Sequence, residues 1–149
     1  MSPVRVDFYL LEDPSPEGRW QVICRLIEKA WLRKHQVFVF CDTEADAETL
    51  DEALWTFKPQ SFIPHNLQGE GPDYPPPVQI GLAEPRGFND ILVNLSAGIP
   101  AFYGRFQRVI EIISGKEAAR EAGRARYRGY RTAGCALQTH TLSQEGVKG

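Results

Sequence analysis

Val37-Phe38-Val39-Phe40-Cys41 is an unbroken apolar run, its first four residues β-branched or aromatic and no polar position among the five. A strand with one wet face alternates polar and apolar side chains, whereas a short continuous run belongs to a strand covered on both faces, as in a parallel sheet. The flanking sequence agrees. Upstream, Glu17 to Lys34 places Trp20, Ile23, Cys24, Ile27, Ala30 and Trp31 at helical spacing, and before it Val4 to Leu11 (VRVDFYLL) alternates and then turns apolar until Pro14 and Pro16 close it. Downstream, Asp42 and Thr43 offer cap-type side chains for a second helix through Trp55, with Glu44 and Asp46 suited to the positive end of its dipole. Strand, helix, strand, helix in the first fifty-five residues predicts an α/β fold with a mostly parallel sheet flanked by helices.

The middle of the chain changes character. Pro59, Pro64, Gly69, Gly71, Pro72 and Pro75-Pro76-Pro77 preclude a long regular element between Phe57 and Pro77, leaving an ordered surface loop or a short edge strand with turns. Val78 to Ile80 and Ile91 to Leu95 (ILVNL) read as two further strands. Phe102, Phe106, Val109, Ile110 and Ile113 recur with a helical period and predict a helix from Phe102 to Ile113, ended by Gly115. A basic helix follows, and Gly134 to Leu142 suits a final strand or an extended tail. The expected organisation is one α/β domain over residues 1–142 with a polar, frayed tail over 143–149.

The composition of the 149 residues is that of a globular protein, 42% hydrophobic and 24% charged, and the length allows roughly two-thirds of the unfolded surface to be buried around one core. No apolar run approaches the ~20 residues that span a bilayer. Met1-Ser2-Pro3 leads into a charged, alternating segment and not into a secretory leader, so a cytoplasmic protein with no membrane association is expected. Cys24, Cys41 and Cys135 show no CxxC or Cys/His spacing and read as buried small hydrophobes, with no metal site and no cofactor implied. A formal net charge of −2 argues against non-specific duplex binding, so contact with nucleic acid is expected to be indirect.

Against that slightly acidic background, Lys116 to Arg131 carries six cations and two carboxylates. Arg120, Arg124 and Arg128 recur every fourth residue, and Tyr127 and Arg131 complete the same helical face. Spacing alone serves a docking stripe for an acidic partner or a solvated face equally well, since Glu117 and Glu121 supply ordinary intrahelical partners.

Motifs of α/β enzymes are missing. No GxxxxGK[ST] follows the first strand, where the loop is the acidic Glu12-Asp13-Pro14-Ser15, so the topology is nucleotide-binding-like without a P-loop. Gly69-Glu70-Gly71 lacks a third glycine and runs into proline, and neither GxSxG nor HExxH occurs. An enzyme acting on a small phosphate substrate would have to bring His65 together with Asp7, Asp13 and Asp42 at the strand ends. A direct single-stranded nucleic-acid binder would use the basic helix with Tyr127 and Tyr130 for stacking.

Three segments in fixed order carry a resemblance. Leu50-Asp51-Glu52-Ala53-Leu54-Trp55, then Ser61-Phe62-Ile63-Pro64-His65-Asn66-Leu67 with Gly69-Glu70-Gly71-Pro72, and finally Arg126-Tyr127-Arg128 with Tyr130-Arg131 and Ala133-Gly134 resemble the chi subunit of the bacterial DNA polymerase III clamp-loader complex, with gapped similarity from Phe8 to about Thr141. The resemblance implies an α/β domain without enzymatic activity, a DNA replication adaptor. Such an adaptor joins the acidic C-terminal tail of single-stranded DNA-binding protein to the clamp loader through the psi subunit, and family members also engage a repair helicase. It assigns Arg124 and Arg128 as tail-binding cations, Tyr127 as an aromatic wall and Ile113 as part of the floor, with Arg131 and Thr139 nearby. Where many members carry lysine this chain has Arg128, which keeps the charge and alters the hydrogen-bond geometry. It assigns Phe62 as the psi-binding anchor beside His65. Trp55 is a candidate support for it, although core packing suits that residue better, and the Gly69–Pro72 turn reads as structural.

Overall fold

A computed structural model describes residues 3–71 and 74–142 of the chain. Strands β1 (Arg5–Leu11), β2 (Val37–Phe40), β3 (His65–Leu67), β4 (Val78–Gly81), β5 (Ile91–Asn94), β6 (Arg108–Ile113) and β7 (Ala136–Leu142) form one sheet in the order β3-β4-β2-β5-β6-β1-β7. Every pairing is parallel, a stricter arrangement than the mostly parallel sheet expected. Helices α1 (Pro16–Leu32), α2 (Glu44–Thr56) and α3 (Glu117–Thr132) supply crossovers. Pro72 of the Gly69–Pro72 turn and the tail over 143–149 lie outside the described residues.

The apolar run that predicted this sheet behaves as read. Val37 and Val39 face the core beneath α1 and α2, with Ile23, Ile27, Leu50 and Leu54, while Phe38 turns to the opposite core with Phe8, Phe88, Phe106 and Tyr130. The helix starts follow the cap chemistry: Ser15 Oγ accepts from the Gly18 amide at 3.1 Å with Pro16 at the first helical position, and Thr43 Oγ1 accepts from the Asp46 amide at 3.1 Å. Cys24 and Cys41 are buried, and burial pushes each thiol up to about 12, while Cys135 is half-buried.

The helix expected over Phe102 to Ile113 is not there. The segment makes a single 3-10 turn at Tyr103–Arg105 and then strand β6, hydrogen-bonded between β5 and β1. Two features explain the difference. Val109, Ile110, Ile112 and Ile113 are β-branched and favour a pleated strand. Glu111, the one carboxylate within the strand, is completely buried, so the run is covered on both faces like β2.

Burial of Glu111 is tolerated because its oxygens are fully engaged. Arg126 Nε donates to Oε1 at 3.0 Å, and the Asn94 amide and the Tyr130 hydroxyl donate to Oε2 at 2.8 and 2.7 Å. Burial raises the carboxyl above its ordinary range, against the opposing charge of Arg126 and the hydrogen bonds of Asn94, Tyr130 and Arg126. Tyr130 is raised by burial and by the Glu111 charge beside it. The cluster ties α3, β5 and β6 together.

Truncating one partner of a buried charge pair strands the other. Glu111→Ala should therefore lower the free energy of unfolding by roughly 3–5 kcal/mol, and Tyr130→Phe by about 1.5–3 kcal/mol. Both should appear in urea denaturation as lower midpoints at unchanged slope; a Tyr130→Phe midpoint equal to wild type would show that the hydroxyl contributes nothing.

Candidate functional site

Helix α3 crosses the sheet over β6 and β1 and leaves a concavity on each flank. Side chains advance about 100° per residue around a helix. With Gly123 and Tyr130 buried against the sheet, Arg120, Arg124 and Tyr127 project along one flank and Ala119, Ala122 and Arg126 along the other.

The first flank holds a largely apolar hollow of about 240 Å³. Its floor is Phe8 and Leu10 of β1 and Ile113 of β6, its far side is Thr139 of β7, and its near wall is Arg120, Gly123, Arg124 and Tyr127. Parallel register brings Phe8 opposite Thr139. Phe8 braces the Tyr127 ring with centroids 5.3 Å apart in a tilted arrangement. Gly123 is required for this depth: a Cβ there would lie 2.8 Å from Ile113 Cδ1, forcing the floor downward or the helix outward. At the rim, Arg120 Nη2 donates to the Leu11 carbonyl at 3.3 Å, and Arg124 Nη2 pairs with Glu117 Oε1 at 3.1 Å with both side chains exposed. An exposed pair of that kind contributes at most about 1 kcal/mol, so an incoming anion can displace Glu117 from Arg124.

Of the residues singled out from sequence, Ile113, Arg124, Tyr127 and Thr139 line the hollow. Arg128 and Arg131 are exposed cations on the same helix and do not line it. Phe8, Leu10, Arg120 and Gly123 complete it. Arg120 was visible in the four-residue basic repeat; Phe8 and Leu10 needed the knowledge that β1 lies between β6 and β7.

The second group lies at the far edge of the sheet. Phe62 is 73% exposed and Trp55 58% exposed, so Trp55 is a surface residue and not the core residue that its apolarity suggested. His65 sits in edge strand β3 with its side chain covered and its ring against Trp55, centroids 4.6 Å apart. Its Nδ1 lies 2.7 Å from the Ile63 carbonyl, and its Nε2 is 3.2 Å from Asp51 Oδ1 without hydrogen-bond geometry. His65 thus underlies this surface and supports Trp55 from below.

The groups needed for an enzyme do not converge. Asp13 Oδ1 accepts from the Ser15 amide and Asp42 Oδ2 from the Ala97 amide, both at loop-closing distances of 2.7 and 2.8 Å. Asp7 is bound by Arg108 Nε at 2.6 Å, Arg5 at 3.0 Å and His140 Nε2 at 3.1 Å. Burial raises Asp7, but the hydrogen bonds from His140 and Arg108 and the charges of Arg108 and Arg5 outweigh it and hold the carboxyl below its usual range. His65 lies in edge strand β3, five strands from β1, which carries Asp7, and level with Val37 at the start of β2, whereas Asp42 follows the end of that strand. Tyr130, one of the two rings proposed for base stacking, is buried and bonded to Glu111. No helix among the described residues is long and apolar enough to cross a membrane.

Comparison with known proteins points in one direction. The family described as DNA polymerase III chi subunit, HolC, matches residues 4–138. The DNA polymerase III subunit chi of Pseudomonas aeruginosa is 45% identical over 139 residues, covering 93% of this chain and 96% of that protein. Its namesake from Escherichia coli K12 is 36% identical over 140 residues, covering 90% and 95%. Among solved structures, T4 UvsW superposes with a TM-score of 0.65 at 10% identity, over 95% of this chain and 42% of that one, a likeness of fold alone.

Because Phe62 is 73% exposed and belongs to neither core cluster of the described residues, Phe62→Ser should change the free energy of unfolding by no more than about 0.5 kcal/mol. A fall of 2 kcal/mol or more, measured by urea denaturation, would mean that the ring packs onto the domain.

Proposed function

The chain belongs to the family of DNA polymerase III chi subunits, replication accessory subunits, and from that premise we propose that it is an adaptor whose hollow beside α3 captures the acidic C-terminal tail of single-stranded DNA-binding protein. The observation that carries this reading is the hollow itself. A tail ending in phenylalanine with a free carboxylate needs an apolar recess for the ring and cations at its mouth for the acid. Phe8, Leu10 and Ile113 supply the recess, Tyr127 a flat wall, and Arg120 and Arg124 the cations. A guanidinium meets a carboxylate through two parallel hydrogen bonds, and bonds to charged groups contribute about 1.5–3 kcal/mol each where water is partly excluded. Arg128 and Arg131 serve the acidic residues upstream in the tail, as cations outside the recess.

The Phe62–Trp55 surface is the second contact, for psi or, as in other family members, a repair helicase. Aromatics left exposed by the described residues suit an anchor for a partner helix or strand. This surface adjoins β3 and the hollow adjoins β7, the two edges of the sheet. Six strand spacings of ~4.8 Å separate them by roughly 29 Å, so both partners can be held at once on one rigid body. Such tethering raises the local concentration of the loader at coated template without any chemistry.

Titration of a peptide with an acidic stretch ending in Pro-Phe should give micromolar-range binding that weakens as salt rises. Arg124→Ala should weaken it about tenfold or more, Arg128→Ala by less, and Glu117→Ala should strengthen it a few-fold by removing the competing carboxylate. Equal affinity of the wild type and Arg124→Ala would sink the assignment of the hollow. Gel shifts with naked single-stranded DNA should show no tight complex unless the binding protein is present; tight binding to the bare strand would favour direct recognition.

A further inference from the structure

The other flank of α3 holds a separate crevice of about 360 Å³ whose position and charge the adaptor reading does not use. It opens at the C-terminal ends of the strands, between neighbours β6 and β1. From β1 the chain passes through α1 to β2, leftward across β6 and β5, whereas from β6 it passes through α3 to β7, rightward across β1. Adjacent strands whose crossovers depart in opposite directions leave a crevice at their carboxyl ends, which is where open parallel sheets receive ligands. The two loops bounding it are joined, since the Gly115 amide donates to the Asp13 carbonyl at 3.1 Å, and any side chain at Gly115 would collide with the Glu12 carbonyl.

The cations of this crevice are partly uncommitted. Arg19, Lys116 and Arg126 line it, against the single carboxylate of Asp42. Arg126 is committed to Glu111 and to the Ala97 carbonyl, and Asp42 to the Ala97 amide. The side chains of Arg19 and Lys116 have no ion pair or hydrogen bond among the described residues; Arg19 lies over the Trp20 ring, 5.8 Å from its centroid. Burial lowers the Arg19 pKa below its ordinary value, with the attraction of Asp46 opposing it and the repulsion of Arg126 adding to it. The first turn of α3 enters the same space, and its N-cap, Lys116, provides no side-chain acceptor for the free amides there.

We propose that this crevice is a phosphate-binding site, in which Arg19 and Lys116 hold the phosphate group of a small molecule at the carboxyl ends of β1 and β6. Two cations without an ion pair lining one recess call for a compact, multiply charged anion, and a phosphate satisfies both while accepting from the amides of the α3 start. The site is independent of tail capture, which uses the opposite flank of the helix.

The test is a titration of the full, ¹⁵N-labelled chain with inorganic phosphate, pyrophosphate and AMP at constant ionic strength, with chloride as the control. Saturable shifts are expected at the amides of Leu95–Ala97 and Glu117–Ala119, with pyrophosphate binding more tightly than phosphate. Tighter binding of AMP than of phosphate would assign the recess to a nucleotide; equal binding would assign it to the phosphate group alone. Arg19→Gln and Lys116→Gln should each weaken binding by about fivefold or more, with affinity for the acidic tail peptide unchanged as proof of an intact fold. Where Arg19→Gln perturbs packing on Trp20, the exposed Lys116→Gln decides alone. Linear, unsaturated shifts, or shifts unaltered in both variants, would overturn the site.

Discussion

The buried carboxylate of Glu111 is the constraint around which the functional half of the molecule is arranged. A charge in the middle of a central parallel strand is unfavourable unless every oxygen is engaged. Here the partners come from α3 and β5: Arg126 and Tyr130 reach down from the helix and Asn94 reaches across the sheet. Satisfying Glu111 fixes the rotation of α3 about its own axis. Arg126 is thereby turned away from the other arginines, and Arg120, Arg124 and Tyr127 are turned towards the recess floored by Ile113 and Phe8. A helix so rich in arginine has little intrinsic reason to choose one rotation, since its charged face could be solvated in several. The internal ion pair supplies that reason.

Close approach is the complementary requirement. Gly123 brings the helix down onto Ile113, and the hollow exists because no Cβ fills that contact. Its mouth is electrostatically primed: Glu117 holds Arg124 in an exposed pair that costs little to exchange for another carboxylate. Net charge is uninformative here. The chain is slightly acidic as a whole, yet both flanks of α3 present cations, because the carboxylates lie mainly elsewhere or are engaged inside.

Much of the architecture was legible from local pattern. The Val37–Cys41 run, the period of α1, and the Ser15 and Thr43 caps all carried through, because each reflects a rule that acts over a few residues. The segment from Phe102 to Ile113 misled for a definite reason. Its apolar residues fit a helical period, and nothing local to β6 announces that Glu111 will be buried and neutralised by Arg126, fifteen residues on. Trp55 misled in the opposite sense: a large apolar ring on a helix reads as core, but this one covers His65 and otherwise faces solvent. Tyr130, which direct base stacking would need at the surface, is instead among the most buried side chains of the described residues.

The sequence by itself determined the α/β class, the parallel character of the sheet, the place of the basic helix and the membership of the chi family, since these depend on periodicity, capping and motif order along the chain. Only the tertiary structure decided which arginines face a recess, which one is consumed by an internal carboxylate, and that the Phe62 surface and the hollow occupy opposite edges of the sheet. The physical reason is that helix rotation and strand order are set by contacts between residues distant in sequence. In this chain β1, β6 and β7 become neighbours across more than a hundred residues, and the hollow is built from all three.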